Sequence, residues 1–542
     1  MAVSRAVASA RLAWAPEGDT ADGDYRPPIH PDRPTAPGAG LAGIAPDGPL
    51  MARRHKVVMG SLIGILLVCC GGPTAAVTTV WGRAGLDTAG AVDFEWPLAI
   101  PPLAPSRLDA AGRRVFDLTA APGTHEFAGR AVSTWGYNGG YLGPTLRARR
   151  GEKVLVNIRN ALGEPTTVHW HGMRLPAVMD GGPHQPIAAG ATWSPSWTVD
   201  QPAATLWYHP HLHHGVARQV YRGLAGMFLL DDDQRTGLPS RYGVDDIPAI
   251  VSDVNLDDRG LDDTPASFTD LGVLGRTVLV NGTPTPHLNV DAELVRLRLL
   301  NASTARSYRF GLADRRPVTL VGVDGGLLES PATVTDVRLT PGERAEILVR
   351  VRPGESVTLR SFPPRLGSTP ALFDRFHGGD DTLDVLQLRA AATLRPAAAL
   401  ANRLAAPVDI DPATAAQTRR FRLAGHSING RQMAMDRIDT VVTRGAVEIW
   451  QIENTDGMPH SFHIHDVRFR VLDPPDESYR GWKDTVYVPP GRTLRLAIRF
   501  DGAADPEHPY MYHCHKLTHE DHGMMGQFVV VEPGQPPALS HP

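Results

Sequence analysis

From about Val92 to Glu532 the chain alternates apolar and polar residues in short runs separated by Gly, Pro, Asn and Asp, the period-two pattern of half-buried β-strands. One run recurs three times and ends each time in asparagine: Glu152-Lys-Val-Leu-Val-Asn-Ile-Arg-Asn160, Glu293-Leu-Val-Arg-Leu-Arg-Leu-Leu-Asn301 and Val447-Glu-Ile-Trp-Gln-Ile-Glu-Asn454. A second run follows a glycine: Gly190 before Ala191 to Val199, Gly342 before Glu343 to Val351, and Gly491 before Arg492 to Phe500. The asparagines lie 141 and 153 residues apart, the glycines 152 and 149. Strand periodicity inside a repeat of about 150 residues predicts an all-β chain of three consecutive β-sandwich units, 92–233, 238–394 and 413–534. The Pro- and Ala-rich stretch Arg395 to Pro412 reads as the linker between the second and third, with its alanines suited to a short helix.

Ahead of the repeat the pattern changes. Residues 1–50 hold eight Pro and six Gly with little apolar periodicity, and 1–56 reads as a disordered N-terminal region that ends in the basic Met51-Ala-Arg-Arg-His-Lys56. No charged residue follows from Val57 to Gly82, and Val57 to Val68 is densely apolar. A basic cluster before an apolar run predicts that 57–80 is an export signal or a single membrane anchor, which puts the mature protein outside the cytoplasm, secreted, periplasmic or held at the outer face of the membrane. Met51 is an alternative start, and Leu67-Val68-Cys69-Cys70 fits a lipoprotein cleavage site poorly.

Length and charge narrow the classes further. At about 150 residues per domain, 542 residues exceed a single compact domain. A net charge of -4 is too balanced to draw in a polyanion, so no nucleic-acid partner is expected. Cys69, Cys70 and Cys514 cannot supply a disulfide framework, and stability must come from burial.

Four histidine clusters carry the candidate chemistry: His169-Trp-His171, His209-Pro-His211, His460-Ser-Phe-His463-Ile-His465, and His513-Cys-His515 followed by His519 and Met524. On a strand, residues two apart project from one face about 6.6 Å from each other, so each His-x-His pair can aim two imidazoles at one place. The pairs fall in the first and third units, and in each unit one of them, His169/His171 or His463/His465, begins nine residues after the asparagine, Asn160 or Asn454. The same offsets of nine and eleven from Asn301 land on Phe310 and Leu312, so the middle unit is expected to hold no metal. Units one and three should then pack face to face around a shared metal cluster. One cysteine, two histidines and a downstream methionine, here His460, Cys514, His519 and Met524, make the donor set of a blue-copper centre, whereas structural zinc favours a tetrahedral set, commonly with several thiolates. Met525 is an alternative axial ligand.

With those motifs, His169-Trp-His-Gly172, Tyr208-His-Pro-His211, His460-Ser-Phe-His-Ile-His465 and His513-Cys-His-Lys-Leu-Thr-His519 with Met524, the sequence resembles the three-domain multicopper oxidases, in the branch of laccases and bacterial copper efflux oxidases. The resemblance covers Val92 to Glu532 and implies three cupredoxin-like Greek-key domains and four copper ions, one type 1, one type 2 and two type 3. It implies that His169 and His463 hold the type 2 ion, and His171, His209, His211, His465, His513 and His515 the type 3 pair. The implied reaction couples one-electron oxidation of a small reductant at the type 1 site to four-electron reduction of O2 to water. Asp180, in Met179-Asp-Gly-Gly-Pro183, and Glu520 resemble the family's proton donors; read without the family they are a turn aspartate and a surface glutamate. His213 and His214 take no role from the resemblance.

The reductant is less constrained. Asp456 and Met458 resemble the outer Cu(I)-binding residues of copper efflux oxidases, and a thioether suits Cu(I). The chain nevertheless has only 12 Met and no methionine-rich lid, which favours laccase-like oxidation of phenols or aromatic amines over a specialised cuprous oxidase for copper tolerance. The segment from Ile428 to Met435 is a candidate lining for the entrance. Copper nitrite reductases lack a need for eight cluster histidines, and a non-catalytic copper-binding resistance protein would scatter Met and His over its surface.

Overall fold

A computed structural model describes residues 81–538 except 83, 265–270 and 473–475. The expected disordered region 1–56 and the signal or anchor segment 57–80 lie outside the described residues. Among the described residues no helix is long and apolar enough to cross a membrane.

Six sheets form three pairs, and each pair encloses its own apolar core. In the first unit a six-stranded sheet containing Arg114–Phe127 and Lys153–Asn160 shares a core with a four-stranded sheet ordered Leu146–Arg149, Gly226–Asp231, Ala204–His209, His169–His171. Phe116, Val156, Trp170, Leu206 and Phe228 meet there. The second unit pairs an eight-stranded sheet built on Asp246–Asp257, Leu294–Asn301 and Arg344–Arg350 with a five-stranded sheet containing Tyr308–Leu312. The third pairs two five-stranded sheets, one containing Gln417–Ala424 and Val447–Asn454, the other ordered Thr440–Thr443, Met525–Val531, Asp505–Cys514, His460–Ile464, Thr485–Val488.

The period-two runs fold as strands because alternate side chains reach the core. Val154, Val156 and Ile158 of Lys153–Asn160 point inward. In Leu294–Asn301 every residue is buried: Val295, Leu297 and Leu299 enter the core, while Arg298 on the opposite face reaches Asp246 (2.6 Å) and Arg296 reaches Glu346 (2.9 Å). Paired guanidinium and carboxylate groups make that burial tolerable.

The repeat survives at the level of single hydrogen bonds. Each marker asparagine is buried and donates its amide to two backbone carbonyls across a loop: Asn160 to Glu164 and Ile187, Asn301 to Arg306 and Leu339, Asn454 to Met458 and Val488, all at 2.7–3.0 Å. The glycines that follow, Gly190, Gly342 and Gly491, have φ of 80°, 88° and 66°, the left-handed turn that admits glycine without a Cβ clash.

Two expectations are corrected. The loop pinned by Asn301 is one residue longer than its counterparts: Asn301 bonds the carbonyl five residues on, Asn160 and Asn454 the one four residues on. Correspondingly, Tyr308 pairs with Leu339, seven residues after the asparagine, whereas Thr166 and His460 pair with Ile187 and Val488 at an offset of six. Phe310 and Leu312 therefore match the core residues of the outer units, and Gly311 and Ala313 occupy the ligand positions. Second, Arg395 to Pro412 forms no α-helix. Leu404 is buried against Leu294, Val321 and Leu348, with Leu400 and Ala401 beside it, so the linker runs extended across the second unit.

Candidate metal centre

Strand register places the histidines in pairs. His169 lies opposite His209 in the first unit, and His463 opposite His513 in the third. Alternation fixes which residues turn away from the core: Trp170 packs into the first core, Phe462, Ile464 and Cys514 into the third, and the flanking histidines are left to the seam between the units. The eight converge there, all buried.

Their hydrogen bonds show which nitrogen each offers. His169, His209 and His463 donate Nδ1–H to the backbone carbonyls of Asp180 (3.0 Å), Pro210 (2.8 Å) and Asp484 (2.8 Å). A carbonyl only accepts, so Nε2 of each ring carries a lone pair, and those three Nε2 atoms are buried without a hydrogen-bond partner. His465 donates Nδ1–H to Asp180 Oδ2 (2.7 Å). Its Nε2 and that of His211 lie 3.3 and 3.2 Å from Nε2 of His513. His171 is turned the other way, with Nε2 on Thr485 Oγ1 (3.0 Å) and Nδ1 3.2 Å from His515 Nε2. Three buried imidazole lone pairs without a partner, gathered with ring nitrogens 3.2–3.3 Å apart, make a donor set that fits bound metal. Burial and mutual repulsion hold His171, His209, His463, His465 and His515 well below the ordinary imidazole range and, with burial dominant, His211 and His513 at about 3, the neutral form that metals require.

A second cluster lies in the third unit. Cys514 Sγ is 3.5 Å from His460 Nδ1 and 3.6 Å from His519 Nδ1, and the two nitrogens are 3.3 Å apart. An ion at the centre of such a triangle sits roughly 2 Å from each corner, the length of a metal–imidazole bond. Met524 is buried in the same core and is tied to this site through its carbonyl, which accepts from the Cys514 N–H at 3.0 Å. A thiolate, two imidazoles and a neighbouring thioether fit copper. Met525 stands opposite His513 on the adjoining strand.

Both candidate proton donors contact ligand rings. Beyond its bond to His465, Asp180 lies with Oδ1 3.4 Å from His169 Nδ1. Glu520 is wholly buried, against the surface position its sequence context allows, with Oε1 3.3 Å from His211 Nδ1 and Oε2 3.1 Å from His513 Nδ1. Burial pushes its carboxyl up to about 7, although His211 opposes the shift. Asp456 brings its two oxygens 3.2 and 3.1 Å from His460 Nε2 and accepts from the Gly425 and Met458 N–H groups. Met458 is half-buried on that loop. In the Ile428 to Met435 segment, Gln432 and Met433 bond the backbone of His522 and Gly523 beside Met524. Among the residues the motifs do not single out, Asp484 and Thr485 hold His171, and Arg344 of the middle unit holds Asp484 (2.6 and 2.7 Å). Their signal in sequence is faint: Arg344 holds a polar position in an alternating run, and Asp484 and Thr485 stand where the apolar run Val486-Tyr-Val488 begins.

Comparison with known proteins agrees with the geometry. Three family models described as multicopper oxidase match residues 119–235, 255–356 and 403–534. A multicopper oxidase of Staphylococcus haemolyticus is 34% identical over 80% of this chain and 92% of its own length. The cell division protein FtsP of Dickeya dadantii is 37% identical over 82% and 94%. The structure of a laccase-like multicopper oxidase, CueO, from Ochrobactrum sp. superposes with a TM-score of 0.72 and 36% identity, covering 80% of this chain and all of that one. With three cupredoxin-like sandwiches and these donors, the chain belongs to the multicopper oxidase family and is a copper-dependent oxidoreductase.

Proposed function

We propose that the protein is a laccase-like oxidase with four copper ions, one held by His460, Cys514, His519 and Met524 and three by the eight interfacial histidines. In this reading His169 and His463 hold the type 2 ion, and His171, His209, His211, His465, His513 and His515 the type 3 pair. The observation that carries it is the orientation of His169, His209, His463 and His465, whose Nδ1–H groups lie outward on acceptors and whose Nε2 atoms turn into the seam. Copper bound there would take electrons singly from a phenol or aromatic amine and give four of them, with four protons, to one O2, yielding two waters. Cys514 lies between His513 and His515 in the chain, so a few covalent bonds join the electron-entry site to the interfacial cluster. Asp180 and Glu520, each against two ligand rings, deliver protons into a seam that excludes bulk water. The cell-division name of some relatives does not exclude this reading, which rests on the donors of this chain.

Oxygen uptake with a phenol and with Cu(I) tests the reductant. Faster turnover with the phenol is expected; uptake with Cu(I) alone would replace this reading. Cu(I) is the second reading because Asp456 and Met458 lie on the loop over His460. Asp456→Ala should lower Cu(I) oxidation by about tenfold, the low end for an outer-shell partner of a ligand, with phenol oxidation less affected. Residues 57–80 export the chain or anchor it to the outer face of the membrane. Cell fractionation should find the oxidase outside the cytoplasm; intact soluble protein inside it would contradict export.

A further inference from the structure

The middle unit carries no ligand, yet two of its features reach the interfacial cluster. Arg344, the first residue of the strand Arg344–Arg350, is wholly buried. Its guanidinium grips both carboxylate oxygens of Asp484 at 2.7 and 2.6 Å, a fork-to-fork pair that fixes orientation as well as position. The remaining donors are spent on backbone carbonyls: Nε on Thr205 of the first unit (3.0 Å), Nη1 on Gly342 (3.0 Å) and Nη2 on Asp324 (2.9 Å). One side chain thus ties all three units together. Asp484 Oδ1 is 3.2 Å from His171 Nε2 and accepts from the Thr485 hydroxyl at 2.8 Å; Thr485 Oγ1 in turn stands 3.0 Å from His171 Nε2 and 3.1 Å from His463 Nδ1. Beside this clamp, the backbone of Gly342 presses on the ring of His515, where an added Cβ would lie 3.0 Å from ring atoms.

We propose that Arg344 is a positioning residue of the interfacial copper cluster, fixing Asp484 and Thr485 so that His171 offers Nδ1, the reverse of its neighbours, and His463 offers Nε2. The inference rests on the four-copper reading. Imidazoles held on the wrong axis by even a small rotation no longer converge, and partners behind a metal ligand act in this way. The middle unit, which keeps the fold and lacks the ligands, then serves the reaction as a clamp on its neighbours' ligands.

The test uses the full copper-loaded chain and reads copper per chain, the blue colour of the Cys514 site and the type 2 copper EPR signal. Arg344→Met should keep the blue colour and lose at least half of the type 2 signal, with copper per chain falling below the wild-type value. Arg360→Met is the control: Arg360 pairs with Asp384 in the same unit (2.5 and 3.0 Å) but touches no ligand, so its type 2 signal should match wild type. If Arg344→Met does not fold, Arg344→Lys keeps the charge without the fork and should shift the type 2 hyperfine splitting while the blue band stays unchanged. A wild-type type 2 signal in the Arg344 variant that folds, or an equal loss in Arg360→Met, would overturn the clamp. A wild-type protein that is blue but has no type 2 signal would instead remove the four-copper reading, and this inference with it.

Discussion

The middle unit and its two neighbours share one plan, but the loop pinned in the middle unit is one residue longer. In all three, a buried asparagine pins the loop that leads into an inner strand. In the outer units the residues at offsets nine and eleven leave the core as His169 and His171, or His463 and His465. In the middle unit the loop is one residue longer, so those offsets enter the core as Phe310 and Leu312. The true counterpart of His169 is Gly311, where a Cβ would lie 2.5 Å from the Thr335 carbonyl oxygen. The fold therefore needs the pin and the core alternation but not the ligands, and at Gly311 the middle unit has no room for a side chain where the first unit carries His169.

The sharpest break in the comparison is Cys514→Ser. It should abolish both the blue colour and donor oxidation while circular dichroism stays that of a folded all-β protein; donor oxidation at the wild-type rate would remove Cys514 from the electron path. Phe310→Ala should do the opposite. Losing a buried aromatic costs about 3–5 kcal/mol, read by denaturant unfolding, with copper per chain unchanged in whatever remains folded. Next come Asp180→Asn and Glu520→Gln, each expected to slow reoxidation by O2 by on the order of 10²-fold without slowing donor-driven bleaching of the blue band. Stopped-flow absorbance separates the two half-reactions, and slower bleaching with unchanged reoxidation would withdraw the proton role. The smallest effect sharpens the shared plan. Asn301→Ala and Asn454→Ala each strand two buried carbonyls and should cost about 1–3 kcal/mol, but only Asn454→Ala, whose loop carries Asp456 and leads to His460, should also alter the blue band.

The architecture and the ligand clusters were legible because both are local in sequence. Period two is written in each strand, and a His-x-His pair on a strand states its own geometry. The one-residue difference in the middle unit was not legible, because an insertion inside a loop is visible only through the partners of Asn301, Arg306 and Leu339. Neither was the burial of Glu520. It follows His519 on a short helical turn, and only the packing of the third unit against the first brings His211 to it. Arg344 lies 140 residues from Asp484, and such long-range pairing leaves no periodic trace. The linker alanines favoured a helix by propensity alone, and burial of Leu404 against the second unit outweighed it.

The most direct test of the account is a titration of the fully reduced, copper-loaded protein with O2 in the absence of any donor. Four ions that each give up one electron should consume one O2 per chain, restore the blue colour fully and release no hydrogen peroxide. Recovery of the colour with a smaller share of O2 per chain, or with peroxide released in proportion, would contradict a four-electron centre built from the histidines of the outer units.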